Sequence, residues 1–177
     1  MSGIQEFIKG FRGGNKVNRF KISGDIGSGG TKTNSLEDNQ FHIRTANLPA
    51  STFGTIPVNF QGRTVHYPGE RTYTPWVITV LDDNNKSTSL YEHFNRWGNV
   101  INNHQTNVGQ TTLGEAFHTV SWTVEQLAAD QSTIKTSYLK NCWPISVGEI
   151  NFDMAADNTL CSFDVVIAYS HWSNTKL

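Results

Sequence analysis

The segment SFDVVIAYS, residues 162–170, alternates between large apolar side chains and smaller or more polar ones. The segment VSWTVE, residues 120–125, has the same period of two. Because successive side chains of a β-strand point to opposite faces of the sheet, each segment has one face suited to a core. These two strand signals are the clearest in the chain, and they indicate a protein built mainly from β-sheet.

Three further segments have strand character. Residues 19–22 and 41–45 alternate between apolar or β-branched side chains and basic ones. The segment WVITVL, residues 76–81, is apolar on both faces, which is typical of a strand at the centre of a sheet.

One segment has helical spacing instead. Leu90, Phe94, Trp97 and Ile101 are separated by four, three and four residues, which places them on one face of a helix. We predict a helix over residues 87–102 with Ser87 as its N-cap, since a serine hydroxyl can accept a hydrogen bond from a free amide at the helix start.

We predict one domain over residues 1–177, with an N-terminal arm over 1–15 and polar loops over 27–39 and 103–115. The predicted fold class is mainly β: a small antiparallel β-barrel or sandwich with one flanking α-helix. A helix with a single apolar stripe covers one face of one sheet. The remaining strand faces must therefore pack on each other, face solvent or contact another subunit.

Composition excludes several function classes. The formal net charge is −1 and the isoelectric point is about 6.6, so no general attraction to nucleic acid phosphates or anionic lipid is expected. The sequence has no apolar run of membrane-spanning length and no signal-peptide core, which predicts production in the cytosol. Its 2 cysteines are too few for a disulfide framework and are expected to be reduced.

No motif for catalysis, a cofactor or a metal stands out. The 6 histidines are scattered, without the close pairs that zinc sites use. The glycine-rich segment 27–30 lacks the lysine and hydroxyl residue of a phosphate loop, and Asp82 and Asp83 have the composition of a turn. We therefore expect no cofactor, no metal and no enzymatic activity.

The aromatic content leaves a binding module open. A carbohydrate-binding β-sandwich would expose aromatic rings, whereas Trp76, Trp97 and Trp122 lie on the apolar faces of their segments and are expected in the core. A monomeric carbohydrate-binding sandwich and a hydrolase on the same scaffold remain alternatives from different classes.

Two ordered blocks of sequence carry a family resemblance. The first comprises Leu48-Pro49-Ala50, Ile56-Pro57-Val58, Gly62-Arg63, Tyr67-Pro68-Gly69-Glu70-Arg71-Thr72 and Trp76-Val77-Ile78-Thr79-Val80. The second comprises Trp143-Pro144, Val147-Gly148-Glu149-Ile150, Phe163-Asp164-Val165, Ala168-Tyr169 and Trp172. Together they resemble the tail tube proteins of contractile-tailed (myovirus-type) bacteriophages.

The resemblance implies a structural subunit. Six copies would form a ring in which their strands complete one closed barrel, and rings would stack into a hollow tube inside a contractile sheath. Implied partners are the sheath, baseplate and tail-terminator proteins, with DNA passing through without specific binding. The implied location is the virion, after assembly in the host cytoplasm. A tube-initiating baseplate paralogue and the tube of a related contractile injection system are alternatives.

Two sets of residues are expected to serve assembly. Pro68 and Gly69 suit a type II turn between strands 63–67 and 72–81, which would place Glu70 and Arg71 at an exposed corner for subunit contacts. A tube that conducts DNA should not bind its phosphates. The lysine- and arginine-free faces of the two clearest strands are therefore expected to face the lumen. These residues are Thr119, Ser121, Thr123, Glu125, Ser162, Asp164 and Ser170.

Overall fold

The computed structural model describes residues 3–11, 14–26, 42–84, 89–109 and 120–175. Within these ranges the chain is mainly β-sheet, as predicted. In chain order the elements are α1 (Gly3–Phe11), β1 (Phe20–Gly24), β2 (Ile43–Ala46), β3 (Ser51–Phe60), β4 (Arg63–Tyr73), β5 (Trp76–Leu81), α2 (Leu90–Ile101), β6 (Ser121–Leu127), β7 (Thr133–Lys140), β8 (Trp143–Val147), β9 (Ser162–Ala168) and β10 (His171–Ser173).

The strands form three antiparallel sheets. The first sheet has the order β1-β6-β7-β10, and the second has the order β2-β5-β9-β8. Strands β3 and β4 form a separate two-stranded hairpin. Strand β5 lies between β2 and β9, which confirms its predicted central position, although Val77 on its outer face is 42% exposed.

The core lies between the two four-stranded sheets and under α2. The rings of Trp76 on β5 and Trp122 on β6 meet edge to face, with centroids 5.6 Å apart. Phe94 on α2 lies 6.2 Å from Trp122, and Trp97 is fully buried beside it. Trp76, Trp97 and Trp122 are each 2% exposed or less, which confirms their predicted core role.

Position 24 requires a glycine because a tryptophan ring packs directly against it. It pairs with Trp122 across β1 and β6, and a Cβ atom added at Gly24 would lie 2.6 Å from the indole ring. The indole N–H donates to the carbonyl oxygen of Asp25 at 3.1 Å, which holds the ring over the glycine. Any larger residue at position 24 must displace this core side chain.

The predicted helix exists, with different ends and a different cap. Helix α2 covers 90–101, about three turns, and the amide of Glu92 donates to the Ser89 hydroxyl at 3.5 Å. The assignment of Ser87 as N-cap is wrong, because a helix that begins at Leu90 needs its capping oxygen one residue earlier. Ser87 itself lies outside the described residues.

The prediction of a single helix is wrong as well. The N-terminal arm, predicted over 1–15, contains α1, on which Ile4, Phe7, Ile8 and Phe11 form one apolar face. None of its described side chains is buried. The signal for this helix in the sequence is the spacing of three and four residues between its apolar side chains.

The predicted turn at Pro68-Gly69 is also wrong. Strand β4 runs unbroken through both residues, and the chain reverses instead at Gln61-Gly62, where both residues have positive φ (47° and 78°). Two consecutive positive φ values are typical of the type I′ turn that closes two-residue hairpins. Pro68 is tolerated within β4 because the register with β3 shifts beside it and the hairpin has only two strands.

The two predicted loops have different outcomes. Residues 27–39 lie outside the described residues, as do 110–115 of the second loop and Phe41 before β2. Residues 103–109 form a hydrogen-bonded turn after α2, in which Asn103 Oδ1 accepts from the amides of Gln105 and Thr106 at 2.9 and 3.1 Å.

Candidate assembly surfaces

The β3–β4 hairpin has one apolar face that is exposed along its outer half. Residues paired across the hairpin share a face, and the register pairs Ile56 with Tyr67 and Val58 with Val65. Phe60 extends the same face toward the turn. The five side chains are 45–67% exposed. The opposite face consists of Thr55, Pro57, Asn59, Thr64, His66 and Pro68.

We name Ile56, Val58, Phe60, Val65 and Tyr67 the ribbon face. Isolated two-stranded ribbons are marginal in water, and they are stabilised when a helix or further strands cover the apolar side. A cluster of large exposed apolar residues on one side of a ribbon is typical of a protein–protein contact. Sequence reasoning missed strand β3, although the alternation of residues 55–60 between polar and apolar side chains carries its signal.

The four residues expected at a subunit contact all lie on β4, near the register shift of the hairpin. Pro68 is paired with Thr55, and a Cβ atom added at Gly69 would lie 3.0 Å from the carbonyl carbon of Gly54. Gly69 is therefore required by the close approach of the two strands rather than by a turn. Glu70 is exposed, and its contact role stays a prediction.

Arg71 has a partner inside its own chain. Its guanidinium lies 4.5 Å from the ring centroid of Phe53, which is paired with it across the hairpin. Such a cation–π contact contributes about 0.5–1 kcal/mol at an exposed site. Arg71 is nevertheless exposed, so its charged edge remains available to a neighbouring molecule.

The residues expected to face a lumen are divided between two surfaces. Ser121, Thr123 and Glu125 lie on the outer face of the first sheet, because Trp122 and Val124 point into the core. Ser162 and Asp164 lie on the outer face of the second sheet, opposite Phe163 and Val165. The two outer faces are on opposite sides of the core.

Of the remaining two residues, Ser170 lies on neither face. Ser170 follows β9, where the chain crosses from the second sheet to the first, and its hydroxyl accepts a hydrogen bond from the Asn141 side chain at 3.1 Å. Thr119 lies outside the described residues.

The outer face of the second sheet contains a hydrogen-bonded chain across three strands. Thr45 Oγ1 on β2 donates to Thr79 Oγ1 on β5 at 2.8 Å, and Thr79 donates to Asp164 Oδ1 on β9 at 2.7 Å. This series of hydrogen bonds holds the exposed Asp164 carboxylate in place near the middle of the sheet. Neither β5 nor β9 contains a lysine or an arginine, whereas the edge strand β2 contains the exposed Arg44.

The outer face of the first sheet is different in charge. Lys21 on β1 is paired with Glu125, and Lys140 on β7 is paired with Ser121. The polar face of β6 therefore lies between two lysines on the neighbouring strands, and the sequence of β6 alone does not show them. Of the two faces, that of the second sheet better matches a surface that should not attract phosphate.

Burial shifts the pKa of two side chains in the core. Burial raises the pKa of the Cys142 thiol to about 12, which keeps it protonated and unreactive. Burial lowers the pKa of His93 on α2, with a smaller effect from Arg96. Across the part of the chain that the structure describes, no group of three histidine, cysteine or acidic side chains is placed to hold a metal ion, and no helix is long and apolar enough to cross a membrane.

Comparison with known proteins agrees with the resemblance. A family model described as phage tail tube protein matches residues 16–175. Tail tube protein gp19 of Enterobacteria phage T4 is 29% identical over 133 residues, which cover 75% of this chain and 79% of the relative. The tail tube protein of Serratia phage KSP90 is 26% identical over 172 residues, 96% and 95% of the two chains.

Solved structures agree on the fold. A chain of the anti-feeding prophage baseplate matches with a TM-score of 0.65 and 12% identity, covering 91% of this chain and 95% of that one. A chain of the sheath–tube complex of an extracellular contractile injection system matches with a TM-score of 0.61 and 16% identity, covering 98% and 97%. At these identities the likeness establishes the fold alone.

Proposed function

The chain belongs to the phage tail tube protein family, and on this premise we propose that six copies close into a ring and that rings stack into the tube of a contractile tail. The chain is a structural subunit of such a tube, as its relatives named tail tube protein support. The role is mechanical and needs no catalytic group.

The observation that carries the proposal is the exposed ribbon face. The two four-stranded sheets already bury a complete core, so the five exposed apolar side chains of the hairpin contribute nothing to it. Exposing them costs solubility in a monomer, whereas an assembly buries them. The tube relatives favour a second copy as the molecule that covers them.

The second sheet is the proposed wall of the lumen. Its edges are β2 and β8, and edge-to-edge pairing between copies would remove both edges. Four strands from each of six copies give a closed barrel at least about 37 Å across between backbones, if neighbouring strands are about 4.8 Å apart, and strand tilt widens it further. Inward side chains leave an opening of at least about 27 Å, which is wide enough for a DNA duplex.

The face of this sheet also fits DNA passage. Its fixed carboxylate at Asp164 repels phosphate, and its neighbours Thr45 and Thr79 are neutral. DNA would pass without specific binding, because β5, β8 and β9 contain no lysine or arginine and Arg44 on the edge strand β2 is the one basic residue of the four strands. In this arrangement Ser121, Thr123 and Glu125 of the first sheet face outward, toward the sheath.

Partners and location follow from the same proposal. The sheath would contact the outside of the tube, and the baseplate and tail-terminator proteins its two ends. The virion would contain the assembled tube, and assembly would take place in the host cytoplasm. The fold is common to baseplate and tube chains, while the relatives named tail tube protein favour the tube itself over a baseplate paralogue.

Negative-stain electron microscopy tests the proposal directly. The purified chain at high concentration should form rings and hollow tubes. A stable monomer at every concentration and salt condition would contradict the proposal and would revive the monomeric binding-module alternative.

A further inference from the structure

Helix α1 has an apolar face that no element of the described chain buries. Ile4, Phe7, Ile8 and Phe11 lie at spacings of three and four residues, and they are 58–77% exposed. A nine-residue helix is marginal in water on its own, so its stability must come from packing of this face. We name the four side chains the helix face.

We propose that the helix face of one copy docks on the ribbon face of a neighbouring copy. This inference rests on the proposed function, since it requires that copies assemble. Each copy offers one helix face and one ribbon face, so head-to-tail docking satisfies both surfaces in every copy except those at the ends of the array.

The dimensions of the two faces agree. The helix face extends about 10 Å from Ile4 to Phe11 at 1.5 Å per residue. The ribbon face extends about 14 Å from Ile56 to Phe60 at 3.4 Å per residue. A helix of ordinary diameter covers two strands about 4.8 Å apart, so one helix is sufficient for one ribbon.

The buried area is adequate for a repeated contact. The nine side chains of the two faces are about half exposed or more. At about 100 Å² each they would remove about 900 Å² from water, near the lower limit for a specific interface. Each copy would take part in two such contacts, contributing about 400 Å² with its helix face and about 500 Å² with its ribbon face.

The charged groups of the helix do not oppose docking. Glu6 and Lys9 lie on the side of α1 away from the helix face. On the ribbon, Arg63 is paired with Phe60 at the edge of the apolar cluster, where its charge can stay in water. Docking would therefore bury apolar surface without burying an unpaired charge.

Disulfide trapping tests the docking in assembled tubes. In a Cys161→Ser background, one population carries Phe7→Cys and a second, with a mass tag, carries Val58→Cys. Cys142 is buried with its pKa raised to about 12 and should not react. After mixing, assembly and oxidation, a dimer of one tagged and one untagged chain is expected on a non-reducing gel.

The matched control replaces Phe7→Cys by Lys9→Cys, on the opposite side of α1. We expect about tenfold more mixed dimer from the Phe7 pair, because disulfide formation requires Cβ atoms about 4 Å apart. Wild-type chain that forms tubes, with no more mixed dimer from the Phe7 pair than from the control, would overturn the docking and leave the proposed function standing. Wild-type chain that never forms tubes would contradict the proposed function itself.

A second pair of variants covers the case in which the cysteine chains do not assemble. Phe7→Ser with Phe11→Ser should abolish tubes, while Lys9→Ser should assemble at the wild-type yield. Normal tubes from the double phenylalanine variant would overturn the docking.

Discussion

The sandwich core and the β3–β4 hairpin have the same alternation of apolar and polar side chains, yet the first is buried and the second is exposed. In the core, Phe163, Val165 and Ile167 are at most 2% exposed, whereas Ile56, Val58 and Phe60 are 45–67% exposed. The alternation therefore identifies a face that is suited to burial. It does not show whether the same chain or a neighbouring molecule covers that face. We propose that the second kind of face is the one that serves assembly.

The largest expected effect is in the core. Trp122→Ala removes a ring that contacts Trp76, Phe94 and Gly24, and it should lower the free energy of unfolding by about 3–5 kcal/mol. Chemical denaturation of the unassembled chain measures this. Val58→Ala on the ribbon face is the contrasting variant, and a loss of similar size there would contradict the distinction between the two regions.

A smaller core effect comes from adding one methyl group. Gly24→Ala should lower the free energy of unfolding by about 1–3 kcal/mol, because its Cβ would meet the Trp122 ring. Gly98→Ala on α2 is the matched control, since a Cβ atom there has no neighbour within 4 Å. The control should be neutral or stabilise the chain by up to about 1 kcal/mol. Equal effects at the two glycines would show that close packing at Gly24 is not the cause.

On the ribbon face the expected effect is on assembly and not on folding. Val58→Ser with Val65→Ser should change the free energy of unfolding by less than about 0.5 kcal/mol, as surface substitutions usually do. Tube yield, measured by sedimentation, should fall sharply. His66→Ser on the polar face is the control and should assemble normally. A double valine variant with full tube yield would mean that the ribbon face is not an interface.

The two outer sheet faces give a prediction about the lumen. Asp164→Lys and Glu125→Lys should both assemble, and only Asp164→Lys should slow DNA passage and lower infectivity, since only the second sheet is proposed to line the bore. Particle infectivity at equal tail number measures this. If Glu125→Lys lowers infectivity more than Asp164→Lys does, the first sheet and not the second lines the lumen.

The smallest effect is expected at Glu70 and Arg71. Glu70→Ala with Arg71→Ala should leave circular dichroism unchanged and weaken each subunit contact by ~0–1 kcal/mol, because exposed ionic contacts contribute little. Repetition at every subunit makes the loss measurable as a higher critical concentration for tubes. An unchanged critical concentration would return both residues to an ordinary solvated position.

Periodicity was sufficient to predict several of the elements that build the core, but it missed β7, which contributes the buried Leu139. Strands β5, β6 and β9 and helix α2 follow from spacing, because their own chain covers their apolar faces. Pro68-Gly69 misled, since the dipeptide that suits a turn also suits a register shift in a two-stranded ribbon. The hairpin reverses instead at Gln61-Gly62, where both residues have positive φ.

The site was harder to predict than the fold, because it depends on which strands become neighbours. Ser121 and Asp164 have similar local patterns, but pairing places Lys140 beside Ser121 and Thr79 beside Asp164. Sequence alone does not give that pairing. It also does not give the exposure of the helix face, which requires knowing that nothing else in the described chain covers it.

We expect the exposed apolar faces of this chain to be buried between neighbouring copies in the wall of its tube. A helical reconstruction of assembled tubes by cryo-electron microscopy measures the exposure of the ribbon face directly. The five side chains Ile56, Val58, Phe60, Val65 and Tyr67 should each be covered by a neighbouring copy and should be less than about one-tenth exposed, as core residues are. Tubes in which these side chains remain about half exposed, as they are in the single chain, would contradict the claim.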